Sequence, residues 1–196
     1  MTTFFTSDTH YGHNNILKYV PERAFDNTED MDEALIDAHN VVVAPKDTVY
    51  HLGDFAFASK KRIKEILTRL NGYIYLLRGN HDRAFKGPFA AELLESGLLV
   101  NIIHANYEVR IGNARVVLDH YAHRVWNNSH HGAIHLYGHS HGSLPGLGKS
   151  VDVGVDSKEM GWFTGGCLRP WHEAEILKFM DSKAIAFEDH HNRSTT

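Results

Sequence analysis

At 196 residues the chain is long enough to bury a substantial core without staples and too short for a separate cap or regulatory module, so one compact catalytic unit is expected. Hydrophobic residues at 42% and charged residues at 22% exclude wholesale disorder and fibrous repeats. The formal net charge of −4 disfavours binding to a long nucleic-acid backbone, where clustered Lys and Arg would supply counterion release.

The excess lies in 16 histidines, the commonest metal-ligand type. The single cysteine, Cys167, has no internal disulfide partner, in keeping with a reducing compartment, and reads as a small buried side chain. The amino terminus enters Thr3-Phe4-Phe5 without a basic stretch followed by an apolar one, and no run approaches ~20 apolar residues. A cytoplasmic location away from membranes is the expectation.

Thr2 to Ser7 is β-branched and aromatic, reads as a strand, and ends at Asp8. From Thr28 to about Val43, Met31, Leu35, Ile36 and His39 recur at helical spacing behind an acidic start, and Pro45 closes the helix. Thr48 to Leu52 reads as a buried strand feeding Gly53-Asp54. Ser59 to Leu70 is amphipathic through Ile63, Ile66, Leu67 and Leu70. After an Asn71-Gly72 turn, a strand from Tyr73 to Leu77 delivers Arg78-Gly79-Asn80-His81.

Strand, helix, strand repeated in this way predicts an α/β sandwich. From Leu98 to His120 two β-rich runs flank Ile111-Gly112-Asn113, which predicts an antiparallel hairpin ending in His120 and therefore mixed sheets. Ala133 to Tyr137 reads as a strand before Gly138-His139, and Val151 to Val155 as another before Asp156, with Gly142 to Gly148 a loop between them. Pro170 at a first turn, then Ile176, Leu177 and Met180, predicts a last helix. One domain over 1–187 is expected, with 188–196 a fraying tail that includes His190 and His191.

The chemistry-bearing residues follow strand-like runs. Asp8 and His10 alternate, so in an extended segment both side chains point the same way. Asp54 follows a glycine that permits close approach, and its carboxylate has two oxygens to share between ions. Asn80 adds a neutral amide oxygen. His139 and His141 repeat the alternate spacing between Gly138 and Gly142. Singly, such residues are ordinary strand-end caps and turn formers; five ordered groups are a different matter.

Asp8-Thr9-His10, Gly53-Asp54, Gly79-Asn80-His81-Asp82, His120 and Gly138-His139-Ser140-His141 together resemble the calcineurin-like metallophosphoesterase superfamily, over the span from Asp8 to His141. The resemblance implies a four-layer α-β-β-α sandwich of two mixed sheets and two divalent cations. It implies Asp8, His10 and His141 on the first ion, Asp54 between the two, and Asn80, His120 and His139 on the second. His81 is then the proton or hydrogen-bond donor to the reacting phosphate rather than a ligand. His120 is preferred to His104 because it follows Val116-Val117-Leu118-Asp119 and precedes Tyr121; small bacterial and phage-type members carry His-Tyr-Pro there, and Ala122 stands in place of the proline.

The nitrogen and oxygen donor set suits Mn²⁺, Fe, Ni²⁺, Co²⁺ or Zn²⁺ better than Mg²⁺ or Ca²⁺, with Mn²⁺ favoured. His13 and Arg78 are candidates for the substrate phosphate, and Asp156 for orienting a ligand histidine. Trp126, Trp162, Phe163 and Trp171 are candidates for a stacking wall, although packing is the commoner role of such rings. The expected activity is phosphodiester hydrolysis on a small or nucleotide-like substrate. The alternatives are a phosphomonoesterase and a non-catalytic metal-binding scaffold. A histidine-rich metal buffer is a third reading, and the oligomeric state is left open.

Overall fold

The computed structural model describes residues 1–159 and 168–186. Cys167, Trp162, Phe163 and the tail 188–196 lie outside the described residues. Two mixed sheets pack face to face. Among the described residues the first has five strands and the second four.

The first sheet is built from β1 (Thr3–Thr6), β2 (Thr48–His51), β3 (Tyr73–Leu77) and β4 (Asn101–Ile103), all parallel, with β9 (Trp171–His172) antiparallel to β1. The second has β5 (Tyr107–Ile111) antiparallel to β6 (Ala114–Leu118), followed in parallel by β7 (Ile134–Tyr137) and β8 (Ser150–Asp152).

Strand alternation divides the core in two. Phe4, Val49, Ile74 and Leu76 face the helices α2 (Thr28–Val42), α3 (Lys60–Arg69) and α4 (Gly87–Glu95), where they meet Met31, Leu35, Ile63, Ile66, Phe89 and Leu93. Phe5, Leu52 and Leu77 face the other way and meet Val116, Leu118, Ile134, Leu136 and Val151 from the second sheet. A one-residue slip of β1 would exchange Phe4 and Phe5 between the two cores, so burial on both faces fixes the register. The short helix α1 (Ile16–Tyr19) follows the first site loop, and α5 (Glu173–Asp181) puts Ile176 and Met180 into the inter-sheet core. Asn27 caps α2 through the Asp30 amide and Ser59 caps α3 through that of Arg62, each contributing about 1 kcal/mol.

Three local expectations are corrected. The β-rich stretch 98–111 is not one arm of a hairpin: it breaks at 104–106, where the chain crosses from β4 in the first sheet to β5 in the second. Pro170 does not open the last helix. Trp171 and His172 pair with Phe5 and Phe4 as β9, and the helix starts after His172, whose ring accepts the Ala174 amide while Glu175 accepts the amide of His172. The strand expected over 151–155 ends at Asp152, and Gly154 makes an isolated parallel bridge to Ser7 instead.

That bridge matters to the site. Parallel strands from both sheets end on one side of the molecule, and the amide of Val155 on the carbonyl of Ser7 (3.1 Å) ties the loop after β8 to the loop after β1. Among the described residues, no helix is long and apolar enough to cross a membrane.

Candidate dinuclear metal centre

The loop after β1 lies along the loop after β2. The amides of Asp8, His10 and Tyr11 donate to the carbonyls of Gly53, Asp54 and Phe55 at 2.9, 3.0 and 2.9 Å. Across the sheet interface, the His139 amide donates to Asp8 Oδ2 at 2.9 Å, and within the second sheet the Gly138 amide donates to the His120 carbonyl at 3.0 Å. Glycine is required at these crossings: a Cβ on Gly138 would stand 2.0 Å from Ser7 Oγ, and one on Gly79 2.2 Å from Asp54 Oδ1.

The backbone here is strained. Asp8, His10, Asp54, His139 and His141 have φ of 59°, 51°, 55°, 67° and 46°. Among the described residues, the other non-glycine residues with positive φ are Ala24 and Asn128. Holding a side chain in the left-handed region costs roughly 1–3 kcal/mol, and such strain gathers where function needs a fixed geometry. It turns five polar side chains toward one place.

They meet as two adjoining clusters. Asp8, His10 and His141 bring one ligand atom each within 4.8 Å of one another, and Asp54, His120 and His139 do the same. Asp54 lies between them: its Oδ2 is 3.6 Å from His10 Nε2 and 3.5 Å from His120 Nε2. Asn80 Oδ1 joins the second cluster at 3.0 Å from His120 Nε2.

The donors fit cations. Asp8 Oδ1 and His10 Nε2 are buried with no hydrogen-bond partner, an expensive state for atoms that a metal would satisfy. His120 Nδ1 sits 2.9 Å from the Leu52 carbonyl and His141 Nδ1 2.7 Å from Asp156 Oδ2. Each arrangement fixes the proton on Nδ1 of the neutral ring and leaves Nε2 as a lone pair facing the cluster. Nε2 of His120 stands beside two oxygen acceptors, Asn80 Oδ1 and Asp54 Oδ2, a place that suits either a proton on the ring or a cation.

The titration of the groups reports the same imbalance. Burial, reinforced by Asp152, pushes Asp8 up to about 7, and burial takes His10 down to about 2. Burial also opposes charge on Asp54 and His120. Their mutual hydrogen bond and attraction nonetheless hold Asp54 at about 2 and, with help from Asp8, raise His120 to about 9. The negative charge that favours a proton on His120 equally favours a cation beside it.

A model of the calcineurin-like phosphoesterase superfamily domain matches residues 1–152. The chain belongs to the calcineurin-like phosphoesterase superfamily. It is 46% identical over 82 residues to the uncharacterized protein MJ1445 of Methanocaldococcus jannaschii, a match covering 41% of this chain and 46% of that protein, less than half its length. It is 28% identical over 164 residues to the Gene 66 protein of Mycobacterium phage L5, covering 72% of this chain and 78% of the relative. The crystal structure of AQ665 from Aquifex aeolicus, a protein of unknown function, has the same fold, with a TM-score of 0.67 and 24% identity over 90% of this chain and 98% of that one.

Around this superfamily motif the other sequence candidates fall unevenly. His81 is exposed on the open cleft of about 1230 Å³ in front of the clusters, and its amide donates to Asp54 Oδ1 at 2.9 Å. His13 lines the same cleft with Nδ1 3.2 Å from His10 Nδ1. Asp156 accepts from His141, as above. Arg78 is not among the residues that line this cleft; it meets the Asp82 carbonyl at 3.3 Å and His104 at 3.2 Å. Trp171 is buried beneath the first sheet edge and Trp126 donates its Nε1–H to the Ala133 carbonyl, so both pack rather than line the cleft.

Three residues that sequence reasoning passed over organise the loops. Arg23 is buried and forks onto Asp156 at 2.9 and 2.7 Å while donating to the carbonyls of Asp8 (2.6 Å) and Thr9 (3.0 Å). Asp82, the acid of the Gly-Asn-His-Asp motif, accepts from the amides of Asp54, Phe55 and Gly79 at 2.8, 2.9 and 2.8 Å. His51 accepts the Gly53 amide and meets Thr9 Oγ1 at 2.9 Å. Asp82 was visible in the motif, but an arginine in the three-residue 3₁₀ turn Pro21–Arg23 carries no spacing to test.

Proposed function

We propose that this protein hydrolyses phosphate esters with two divalent cations, Mn²⁺ favoured, and that its substrate is a small or nucleotide-like phosphodiester. The observation that carries the reading is Asp54: a single carboxylate oxygen lies 3.5–3.6 Å from a histidine of each cluster. Asp8, His10 and His141 would hold one ion and Asn80, His120 and His139 the other, with Asp54 shared. Bound there, such ions supply Lewis-acid polarisation of a phosphoryl oxygen and lower the pKa of water.

The chain's own residues do the rest. Asp156, held by the Arg23 fork, keeps His141 in the tautomer that offers Nε2, and the Leu52 carbonyl does the same for His120. His81 faces the cleft on a backbone tethered to Asp54, within reach of the phosphate oxygens and the leaving oxygen, to which it donates a hydrogen bond or a proton. His13, beside His10, is the proposed further contact to the phosphate.

The test is direct. Protein loaded with Mn²⁺ should hydrolyse bis-p-nitrophenyl phosphate, and Asp54→Asn should abolish turnover while circular dichroism reports an unchanged fold. No turnover across a panel of divalent metals would leave the scaffold reading in its place.

A further inference from the structure

One wall of the cleft is unused by this chemistry. Phe57 is 57% and Tyr19 72% exposed, and both rings flank His13: Phe57 at 4.8 Å between centroids and 30° between planes, Tyr19 at 6.3 Å and 69°. His13 is 5.2 Å from the ring of His10, while Phe57 is 6.2 Å from that of His81 and steeply inclined to it at 72°. The apolar wall therefore stands one imidazole away from the groups assigned to phosphate.

Phe57 is also fixed. Its amide donates to the Tyr11 carbonyl at 2.9 Å, directly after the Tyr11–Ala56 bridge, so its backbone is pinned to the loop that carries Asp8 and His10. Gly12, at φ 70°, allows this approach, since a Cβ there would lie 2.9 Å from Ala58 Cβ. An exposed ring on a pinned backbone has little freedom left to lose on binding.

We infer that Phe57, flanked by His13 and Tyr19, stacks a flat ring carried by the substrate, and that the ring is a nucleobase. Phe57 leans over His13 at a tilt, Tyr19 is steeply inclined to His13 and His81 to Phe57, so the exposed part of the Phe57 ring is the flat surface this wall offers to a planar group. The cleft that Phe57 lines also carries Glu22, Ser140 and Ser143, polar side chains that suit the heteroatom edge of a base. The assignment rests on the phosphoesterase reading, because the phosphate is what places the ring.

Calorimetric titration of the Mn²⁺-loaded protein with adenosine monophosphate, ribose 5-phosphate and phenyl phosphate tests it. Stacking on one aromatic ring corresponds to roughly 5- to 150-fold in affinity. We expect adenosine monophosphate to bind about tenfold more tightly than ribose 5-phosphate, Phe57→Ala to remove that preference and Phe57→Trp to keep it. Equal affinities in the wild type, or a preference that survives Phe57→Ala, overturn the stacking wall; phenyl phosphate binding as tightly as adenosine monophosphate overturns the nucleobase. Turnover of bis-p-nitrophenyl phosphate measured on the same preparations separates the two readings. Turnover without a ring preference sinks the wall alone, and a ring preference without turnover sinks the hydrolase alone.

Discussion

Two groups of histidines lie on the second sheet and its loops, and both contain buried rings. At the strand ends, His120 and His141 each commit Nδ1 to a protein acceptor and leave Nε2 facing a cluster of other ligands. On the outer face of β7, His135 uses both nitrogens: Nδ1 meets the Val117 carbonyl at 3.0 Å and Nε2 accepts the His123 amide at 3.0 Å, with His123 stacked on it at 4.7 Å. Burial does not separate a ligand from a structural histidine. The fate of the second nitrogen does, together with a left-handed backbone at His10, His139 and His141 that the strand residue His135 lacks.

The comparison can be broken from either side. If the strand-end group exists to hold cations, Asp54→Asn should lower turnover by more than about 1,000-fold, since losing even an outer partner of a ligand costs about 10- to 100-fold. The metal-free variant should melt at a somewhat lower temperature, because the hydrogen bonds and attraction that hold the Asp54 carboxyl below its usual range also stabilise the fold. A large fall in melting temperature would count against a functional role for the strain.

His135 predicts a different signature. Burial lowers its pKa to about 4, whereas the unfolded chain titrates near 6.5, so below 6.5 the unfolded state binds more protons than the fold does. Stability should therefore be complete above that value and be lost as pH falls from 6.5 toward 4, by on the order of 3 kcal/mol from this residue. Denaturant titrations of the wild type and His135→Gln across that window measure it, and identical acid limbs would remove His135 from the account.

Asp156→Asn keeps the hydrogen-bonding shape beside His141 and removes the charge, so Mn²⁺ affinity should weaken by about 10- to 100-fold, and stability should fall as well, because the buried Arg23 loses its carboxylate partner. Calorimetric metal titration reads this. The smallest effect belongs to the exposed His131: replacement by Ala should alter stability by no more than about 0.5 kcal/mol and leave metal stoichiometry unchanged. A lost equivalent of metal in that variant would revive the diffuse metal-buffer reading.

Much of this was legible in the chain. The strands that carry Asp8, Asp54 and His139 announce themselves as apolar or β-branched runs ending at polar residues, because a strand buried on both faces leaves little room for anything else. The helix Gly87–Glu95 was not, since Gly87-Pro88 at its start reads as a turn and only Phe89 and Leu93 are buried. Nor was β9, whose two residues become a strand only by pairing with Phe4 and Phe5 from the far end of the chain. Arg78 looked suited to phosphate by neighbourhood in sequence, yet its side chain meets His104.

The order of the motifs along the chain determined the family, the pair of mixed sheets and the donor types, because metal chemistry restricts ligands to a few side chains and strand ends restrict where they stand. Only the tertiary structure decided which nitrogen each histidine presents, that Arg23 reaches Asp156 across 133 positions, and that Phe57 stands bare beside His13. Those facts depend on hydrogen bonds and packing between segments remote in sequence, and no local pattern of residues encodes the distance between them.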